Sequence, residues 1–278
     1  MSYFNIVAQS SESTVVTEYT PKGKRSEGYQ SEAQLEQEFI RMLQDLGYDY
    51  LQIHKEADLI ANLRAQLSKV NNYEFTDGEW DRFFKEVLAN PNADIAEKTR
   101  LIQEDHVQVL KRDNGESKNI SLIDKKNIHN NILQVINQYT VSTKDGAAHD
   151  NRYDVTILVN GLPLIHIELK RRGVPIREAF NQINRYQRDS FWAASGLYQF
   201  VQIFVISNGT NTKYYSNTTR YNAANDAQKA DKSKKAKTSN SFEFTSYWAD
   251  GNNKIIADLV DFTKTFFAKH SILNILTK

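Results

Sequence analysis

The 278-residue chain contains no cysteine. This absence excludes disulfides and thiolate metal sites and is typical of a reducing compartment. There is also no run of about 18 apolar residues that would span a bilayer, and the N-terminus lacks the basic region and long apolar core of a signal peptide. We therefore expect a cytoplasmic protein that does not interact with a membrane.

Two further absences restrict the function. The formal net charge is only +1, so any surface for nucleic acid has to be a local concentration of positive charge. The phosphate-loop pattern G-x-x-x-x-G-K-[ST] is missing, because the only Gly-Lys pair, Gly23-Lys24, is followed by Arg25. We therefore expect no ATP-driven motor within this chain. The six histidines show no His-x-x-x-His spacing, which argues against a zinc enzyme.

The most informative stretch lies between Arg152 and Lys170. It predicts two apolar strands that form a hairpin around residues 161–163. In such a hairpin the start of the first strand lies near the end of the second, so Asp154 is expected beside Glu168. Residues two apart share one face of a strand and are separated by roughly 7 Å, which makes Lys170 a neighbour of Glu168.

Two carboxylates beside an ammonium group indicate a metal site. Asp154 and Glu168 are hard oxygen ligands of the kind that Mg²⁺ uses together with several waters. A cation held there activates water or stabilises a phosphoryl transition state, and Lys170 would supply a fixed positive charge or orient the attacking water. The alternative interpretation, and the more common one for an isolated Glu-x-Lys, is an ion pair on a solvated strand face.

A helix with basic residues is predicted directly after this stretch. The pattern over 176–188 places Phe180 and Ile183 on a buried stripe, while Gln182 and Tyr186, four residues apart, share a face. A local positive surface of this kind suits a phosphate backbone, although a solvated helix face explains it equally well. The candidate DNA-binding residues are Arg171, Arg172, Arg177, Arg185 and Arg188.

A second helix, upstream, offers a third acid. The segment 31–47 has Ser31 as an N-cap candidate and Gly47 as a C-cap candidate. Glu36 lies beside the apolar stripe of this helix, so its side chain is expected to point towards the sheet and to complete the metal site. An acid at such a position is, however, more often solvated than ligating.

The rest of the chain organises around this core. The sequence predicts a helical insertion over residues 52–110 and a closing helix over residues 255–276. It also predicts a mobile, lysine-containing loop over residues 222–240, which either attracts phosphate or is simply solvated. The candidate site draws on distant parts of the chain, so we expect one domain over residues 1–278. His166 shares a strand face with Glu168 and either supports the site indirectly or is a histidine at the edge of the core, and we favour the second interpretation.

The order of these motifs resembles the PD-(D/E)xK nuclease superfamily. More closely, the chain resembles the N-terminal nuclease region of the restriction (R) subunit of type I restriction-modification enzymes. Tyr153 stands where the superfamily name has proline, a position that varies among its members. The similarity extends over nearly the whole chain. Its segments are 29–36, 122–126, 151–170, 173–186 and 202–209.

The resemblance implies a fold and a set of roles. The fold is an α/β restriction-endonuclease-like core, in which a central mixed sheet is flanked by helices. Asp154, Glu168 and the supporting acid Glu36 would hold Mg²⁺, and Lys170 would assist the nucleophile. Gln182 and Tyr186 match an accessory motif beside the scissile phosphate.

The resemblance also implies partners. A type I subunit carries an ATP-driven DNA translocase after its nuclease, and it docks on methyltransferase and specificity subunits. The motor is absent from this sequence, so the chain is expected to be a fragment that acts on double-stranded DNA.

Three function classes fit these residues. The first is a Mg²⁺-dependent endonuclease domain whose cleavage of duplex DNA is coupled to translocation. The second is a self-sufficient junction or repair nuclease with the same core. The third is a non-catalytic module for DNA binding or assembly, against which the presence of Asp154, Glu168 and Lys170 together argues. No base-reading segment is visible in the sequence.

Overall fold

The computed structural model of the chain describes residues 4–9, 15–21, 30–217 and 242–278. The strands are β1 (Phe4–Gln9), β2 (Val15–Tyr19), β3 (Asp49–Tyr50), β4 (Val107–Lys111), β5 (Ser117–Ser121), β6 (Leu133–Val141), β7 (Asn151–Val159), β8 (Leu162–Leu169), β9 (Ile203–Ser207), β10 (Thr212–Ser216), β11 (Trp248–Ala249) and β12 (Ile255–Ile256). The helices are α1 (Glu32–Asp45), α2 (Glu56–Asn71), α3 (Asp77–Phe83), α4 (Ile95–Gln103), α5 (Ile176–Asp189), α6 (Leu259–Phe266) and α7 (Lys269–Thr277).

Six strands form a central mixed sheet in the order β10-β9-β8-β7-β6-β3. The outer pair β3–β6 and the inner pair β8–β9 are parallel, and the other neighbours are antiparallel. Every residue of β8 is buried, as expected for a central strand covered on both faces. Helices flank the sheet, which confirms the predicted fold class.

The hairpin of β7 and β8 turns one residue earlier than predicted. Asn160 and Gly161 both have positive φ, 52° and 85°, as the two central residues of a type I′ turn require. Val159 pairs with Leu162, so Pro163 lies inside β8 rather than in the turn. The register shifts between Ile157 and Leu158, which marks a bulge near the proline, where a missing N–H is tolerated.

Helix α1 begins and ends much as its sequence predicts. Ser31 and Gln34 form a capping box, which satisfies two backbone N–H groups of the first turn. Leu46 is the C-cap, and Gly47 follows it with φ 84° and donates its N–H to the carbonyl of Gln44. The buried face of α1 includes Glu36, so the prediction that this acid points inwards is confirmed.

The predicted helical insertion is helical only in part. It contains α2, α3 and α4, and a π-helical turn at Phe84–Leu88 extends α3. The prediction was wrong at its end, because β4 occupies Val107–Lys111 and pairs with β5. Neither the 3.6-residue periodicity nor composition separates so short a strand from a helix end.

The C-terminal segment also differs from its prediction. Instead of one helix over 255–276, it contains the short strand β12 followed by α6 and α7. Asp258 caps α6 by accepting a hydrogen bond from the N–H of Val260. This N-cap residue lies inside the predicted helix and shows that the helix begins only after it. The predicted loop 222–240 lies outside the described residues. In the described part of the chain, every helix is too short or too polar to cross a bilayer.

The hairpin turn generates a stability prediction. A Cβ on Gly161 would meet the Cα of Leu63 in α2 at 2.6 Å, and the residue has φ 85°. We expect Gly161→Ala to lower the free energy of unfolding by about 2–4 kcal/mol, because backbone strain adds to a clash with another backbone. Urea denaturation measures the effect.

Gly146 provides the matched control. Its φ is 89°, but nothing lies within 4 Å of an added Cβ. Gly146→Ala should therefore cost only the backbone strain, about 1–2 kcal/mol. Equal losses in the two variants would contradict close packing of the turn against α2.

Candidate functional site

The β7–β8 pairing brings the two central acids together. Val155 pairs with Ile167, and continuing this register places Asp154 opposite Glu168. The Oδ2 atom of Asp154 accepts the backbone N–H of Leu169 at 3.0 Å, which ties the two strands together beside the acids. The structure thus places Asp154 beside Glu168, as the sequence predicted.

Lys170 completes this group at the end of β8. Its ammonium donates to Glu168 Oε1 at 3.0 Å, and its own backbone N–H donates to the carbonyl of Ser207 in β9. The other carboxylate oxygen of Glu168, Oε2, is buried and accepts no hydrogen bond in the described part of the chain. His166 Nε2 lies 3.6 Å from it.

The pKa values of these groups reflect burial and crowded negative charge. Burial, followed by the charge of Glu168, raises the pKa of Asp154 to about 7. Burial also raises the pKa of Glu168 to about 7, although Lys170 opposes the change. Burial lowers the pKa of Lys170, but the charges of Glu168 and Asp154 outweigh it and leave that pKa raised. Without a cation, burial therefore favours the protonated forms of both acids.

His166 is part of the core behind these acids. It is fully buried, and burial lowers its pKa to about 4, so its ring is neutral. It lies edge-on to the rings of Tyr153 and Phe191, at centroid distances of 5.6 Å in both cases. This position agrees with the interpretation as a core histidine, but the ring also faces the free oxygen of Glu168.

Glu36 is held differently from the other two acids. Asn137 and Gln138 of β6 donate to its two carboxylate oxygens, each at 2.6 Å. Burial raises the pKa of Glu36, and the charge of Asp154 contributes to the rise. Among the described residues no three histidine, aspartate or glutamate side chains converge as a metal site, so the expected three-acid set is not assembled.

Gln182 and Tyr186 form a chain of hydrogen bonds that reaches β7. The Gln182 side-chain amide donates to the Tyr186 hydroxyl at 2.5 Å, and this hydroxyl donates to the backbone carbonyl of Arg152 at 2.8 Å. Tyr186 is buried. Both residues line a cavity of about 630 Å³ together with Asp154 and Lys170.

The five basic residues proposed from the sequence are not equivalent. Arg185 lines the cavity beside the acids, and its guanidinium lies 5.5 Å from the ring centre of Tyr186. Arg177 lies over Phe242 at 4.8 Å. Arg188 is paired with Asp189 at 2.7 Å, while Arg171 and Arg172 precede the helix and do not line this cavity. The structure brings only Arg185 of these five to the cavity.

Two cavities meet at Asp154, and their walls contain residues that sequence reasoning missed. A cavity of about 730 Å³ lies along α1, and the 630 Å³ cavity lies along α5. Both are lined by Glu32, Arg152 and Asp154. The position of Arg152, two residues before Asp154, was a signal in the sequence that a basic residue could lie near the site. No comparable signal marked Asn137 and Gln138.

Backbone conformation explains why Gln138 escaped detection. Its neighbours in β6, Asn137 and Tyr139, pair with Val155 and Tyr153 of β7, so Gln138 lies opposite Asp154 in the register. Gln138 itself has φ 53°, a conformation that non-glycine residues seldom adopt and that often occurs at functional sites.

The donor set fits a hard divalent cation. Asp154 and Glu168 supply carboxylate oxygens, and one of these, Glu168 Oε2, is buried without a hydrogen bond from a described residue. Mg²⁺ needs only one or two protein carboxylates because waters and substrate phosphates fill its remaining positions. Lys170 already neutralises one oxygen of Glu168, so a cation near the other oxygen would relieve the remaining negative charge.

Comparisons with known proteins agree with this geometry. The family described as the type I restriction enzyme R protein N terminus matches residues 29–223. The Escherichia coli type I restriction enzyme EcoprrI endonuclease subunit is 46% identical over 271 residues, which cover 97% of this chain and 80% of that subunit.

More distant relatives carry similar names. The SsaAORF53P endonuclease subunit of Staphylococcus saprophyticus is 36% identical over 255 residues, 90% of this chain and 24% of that subunit. The putative MjaIXP endonuclease subunit of Methanocaldococcus jannaschii is 27% identical over 198 residues, 64% of this chain and 18% of its own length. The chain thus spans a quarter or less of these two relatives. With a family match over residues 29–223, the chain belongs to the family of type I restriction enzyme R protein N-terminal regions.

Proposed function

We propose that this chain is the Mg²⁺-dependent endonuclease domain of a type I restriction enzyme and hydrolyses phosphodiester bonds of duplex DNA. The observation that carries the proposal is the meeting of Asp154, Glu168 and Lys170 at the end of β8, with one Glu168 oxygen buried and free of hydrogen bonds in the described residues. The names of the relatives support a nuclease role.

Each residue has a distinct task in this proposal. Asp154 and Glu168 would hold Mg²⁺, which when bound supplies Lewis-acid stabilisation of the phosphoryl group and an acidified water. Lys170 opposes the rise in the pKa of Glu168 and places a positive charge beside the reacting phosphate. Glu36 is held by Asn137 and Gln138, so it acts on the site through its charge on Asp154.

The proposal for the wider assembly is supported by the family of the chain rather than by the site. We propose that cleavage is coupled to DNA translocation by an ATP-driven motor, and that methyltransferase and specificity subunits choose the target. The Staphylococcus saprophyticus relative is nearly four times as long as this chain, which leaves room for such further domains. The chain then needs no base-reading surface of its own.

The first prediction concerns the two acids. Asp154→Asn and Glu168→Gln keep side-chain size but remove a negative ligand. We expect each to slow DNA cleavage by the assembled restriction complex by at least about 100-fold, because the metal site is lost. ATP hydrolysis by the same complex should be unchanged. Cleavage is measured as linearisation of circular duplex DNA.

Glu178→Gln is the control for these variants. Glu178 is an exposed acid on α5 and lines neither cavity at the acids. Its replacement should leave cleavage unchanged. If Glu168→Gln cut DNA as fast as the unaltered chain, the assignment of the site would be refuted.

The second prediction separates Lys170 from metal binding. Lys170→Ala should reduce cleavage by about 100-fold, since a positive charge beside the phosphate is removed. Mg²⁺ should still bind, as followed by calorimetry, because both carboxylates remain. Lys144→Ala, which removes an exposed lysine outside the cavities, serves as the control. A Lys170→Ala chain that no longer binds Mg²⁺ would give this lysine a structural role instead.

The third prediction concerns pH. The pKa values of Asp154 and Glu168 are raised to about 7, so without metal the folded chain binds more protons than the unfolded chain between about pH 4 and 7. The two protonated acids therefore contribute to the free energy of unfolding at low pH, and this contribution is lost as pH rises through 7. Mg²⁺ needs both groups ionised, so its stabilising effect should grow over the same interval.

Calorimetric melting tests this dependence. Saturating Mg²⁺ should raise the Tm by more at about pH 8 than at about pH 6, where protons compete for both carboxylates. Glu168→Gln should abolish the difference. A Mg²⁺ effect that is equal at the two pH values would show that these carboxylates do not bind the ion.

A further inference from the structure

Arg152 occupies a special position at the candidate site. The cavity along α1 is also lined by Arg41, and the cavity along α5 by Lys170 and Arg185, but among the described residues Arg152 is the one basic residue that lines both. Its side chain is exposed, and Asp154 lies two residues further along β7. A group that enters the site from either cavity therefore passes Arg152.

Two of the nearby cations are already paired with acids. Lys170 is paired with Glu168 at 3.0 Å, and Arg188 with Asp189 at 2.7 Å. Within the described residues, no carboxylate oxygen lies within 4.0 Å of the Arg152 guanidinium, although its charge reaches Glu36 and lowers the pKa of that acid. Arg152 is thus available to an anion from outside.

The backbone of Arg152 is fixed from two sides. Within the sheet it pairs with Thr140 of β6. From α5, the Tyr186 hydroxyl donates to the Arg152 carbonyl at 2.8 Å, and Gln182 donates to that hydroxyl. The hydroxyl has one proton to donate, and the Arg152 carbonyl accepts it. Tyr186, only 1% exposed, therefore has no proton left for a phosphate.

We propose that Arg152 binds the phosphodiester of the DNA strand at the junction of the two cavities, and that Gln182 and Tyr186 are positioning residues that hold its backbone. This inference rests on the proposed nuclease function and deepens it.

Charge explains why the site needs such a residue. Glu32, Asp154 and Glu168 concentrate negative charge where a phosphate has to enter, and Glu32 is close enough to raise the pKa of Glu168. The guanidinium presents a planar fork of N–H donors that binds two phosphate oxygens at once, whereas an ammonium acts as a point charge. Arg152 would counter the repulsion before the phosphate reaches the acids.

Equilibrium binding of a short fluorescent DNA duplex to the 278-residue chain tests the proposal, with Ca²⁺ replacing Mg²⁺ to limit cleavage. We expect Arg152→Ala to raise the Kd about 10- to 100-fold, the loss typical of a charge-assisted contact. Arg152→Lys should recover part of the affinity. Arg41→Ala, which alters a basic residue of one cavity only, should change the Kd by less than about threefold.

A double-mutant cycle tests the positioning role. Tyr186→Phe removes the hydroxyl and should weaken DNA binding in the unaltered chain by about three- to tenfold. If Tyr186 acts through Arg152, the Tyr186→Phe substitution should not weaken DNA binding any further in the Arg152→Ala background. Additive losses would contradict positioning and indicate that Tyr186 contacts DNA independently.

Two further measurements separate this proposal from the proposed function. Calorimetry should show that Arg152→Ala binds Mg²⁺ as the unaltered chain does, and the assembled restriction complex carrying it should cleave DNA about 10- to 100-fold more slowly. If Arg152→Ala bound metal, bound DNA and cleaved DNA as the unaltered chain does, the role of Arg152 would be refuted and the nuclease proposal would stand. Failure of the unaltered chain to bind metal would overturn the nuclease proposal and this inference together.

Discussion

The antiparallel pairing of β7 with β8 is the constraint on which the candidate site depends. The Asn160-Gly161 turn fixes where the pairing begins, and the bulge that follows it shifts the register once. Beyond the bulge, that register puts Asp154 opposite Glu168. Gly161 packs against the backbone of α2, so the position of the turn is linked to the helices that cover the sheet. A slip of one residue would turn an acid to the other face of the sheet.

The second constraint is electrostatic. Glu168 is buried and Asp154 beside it is half-buried, and burial raises the pKa of both. Proteins place ionisable groups in so costly an arrangement chiefly at functional sites. Lys170 compensates part of the negative charge, and in our proposal Mg²⁺ and Arg152 compensate the rest when DNA is bound. In this view, the positive charges of Lys170, Mg²⁺ and Arg152 together offset the negative charges of the two acids and the phosphate.

Much of the site was predictable because it depends on local pattern. Two apolar strands with a short turn define a hairpin, and a hairpin defines which ends meet, so the neighbourhood of Asp154, Glu168 and Lys170 followed from spacing. The inward position of Glu36 followed from its place beside the stripe of α1. The central mixed sheet flanked by helices also agrees with the family that these motifs resemble.

What the sequence could not predict depends on tertiary packing. The two hydrogen bonds that hold Glu36 come from β6, more than 100 residues away, and the positive φ of Gln138 has no sequence signature. The proposed basic surface was assigned from the abundance of arginine, yet Arg188 is paired with its neighbour and Arg177 lies over Phe242. The short strands β4 and β12 were missed because a few residues carry too little periodicity.

The central claim is that Asp154 and Glu168 together hold one divalent cation. Crystals of the chain soaked in Mn²⁺ above about pH 7.5, where both acids are ionised, would locate the ion directly by its anomalous scattering. The account predicts a peak within about 2.3 Å of oxygens of both carboxylates. A fully occupied Mn²⁺ peak elsewhere, with both carboxylates free of metal, would contradict it.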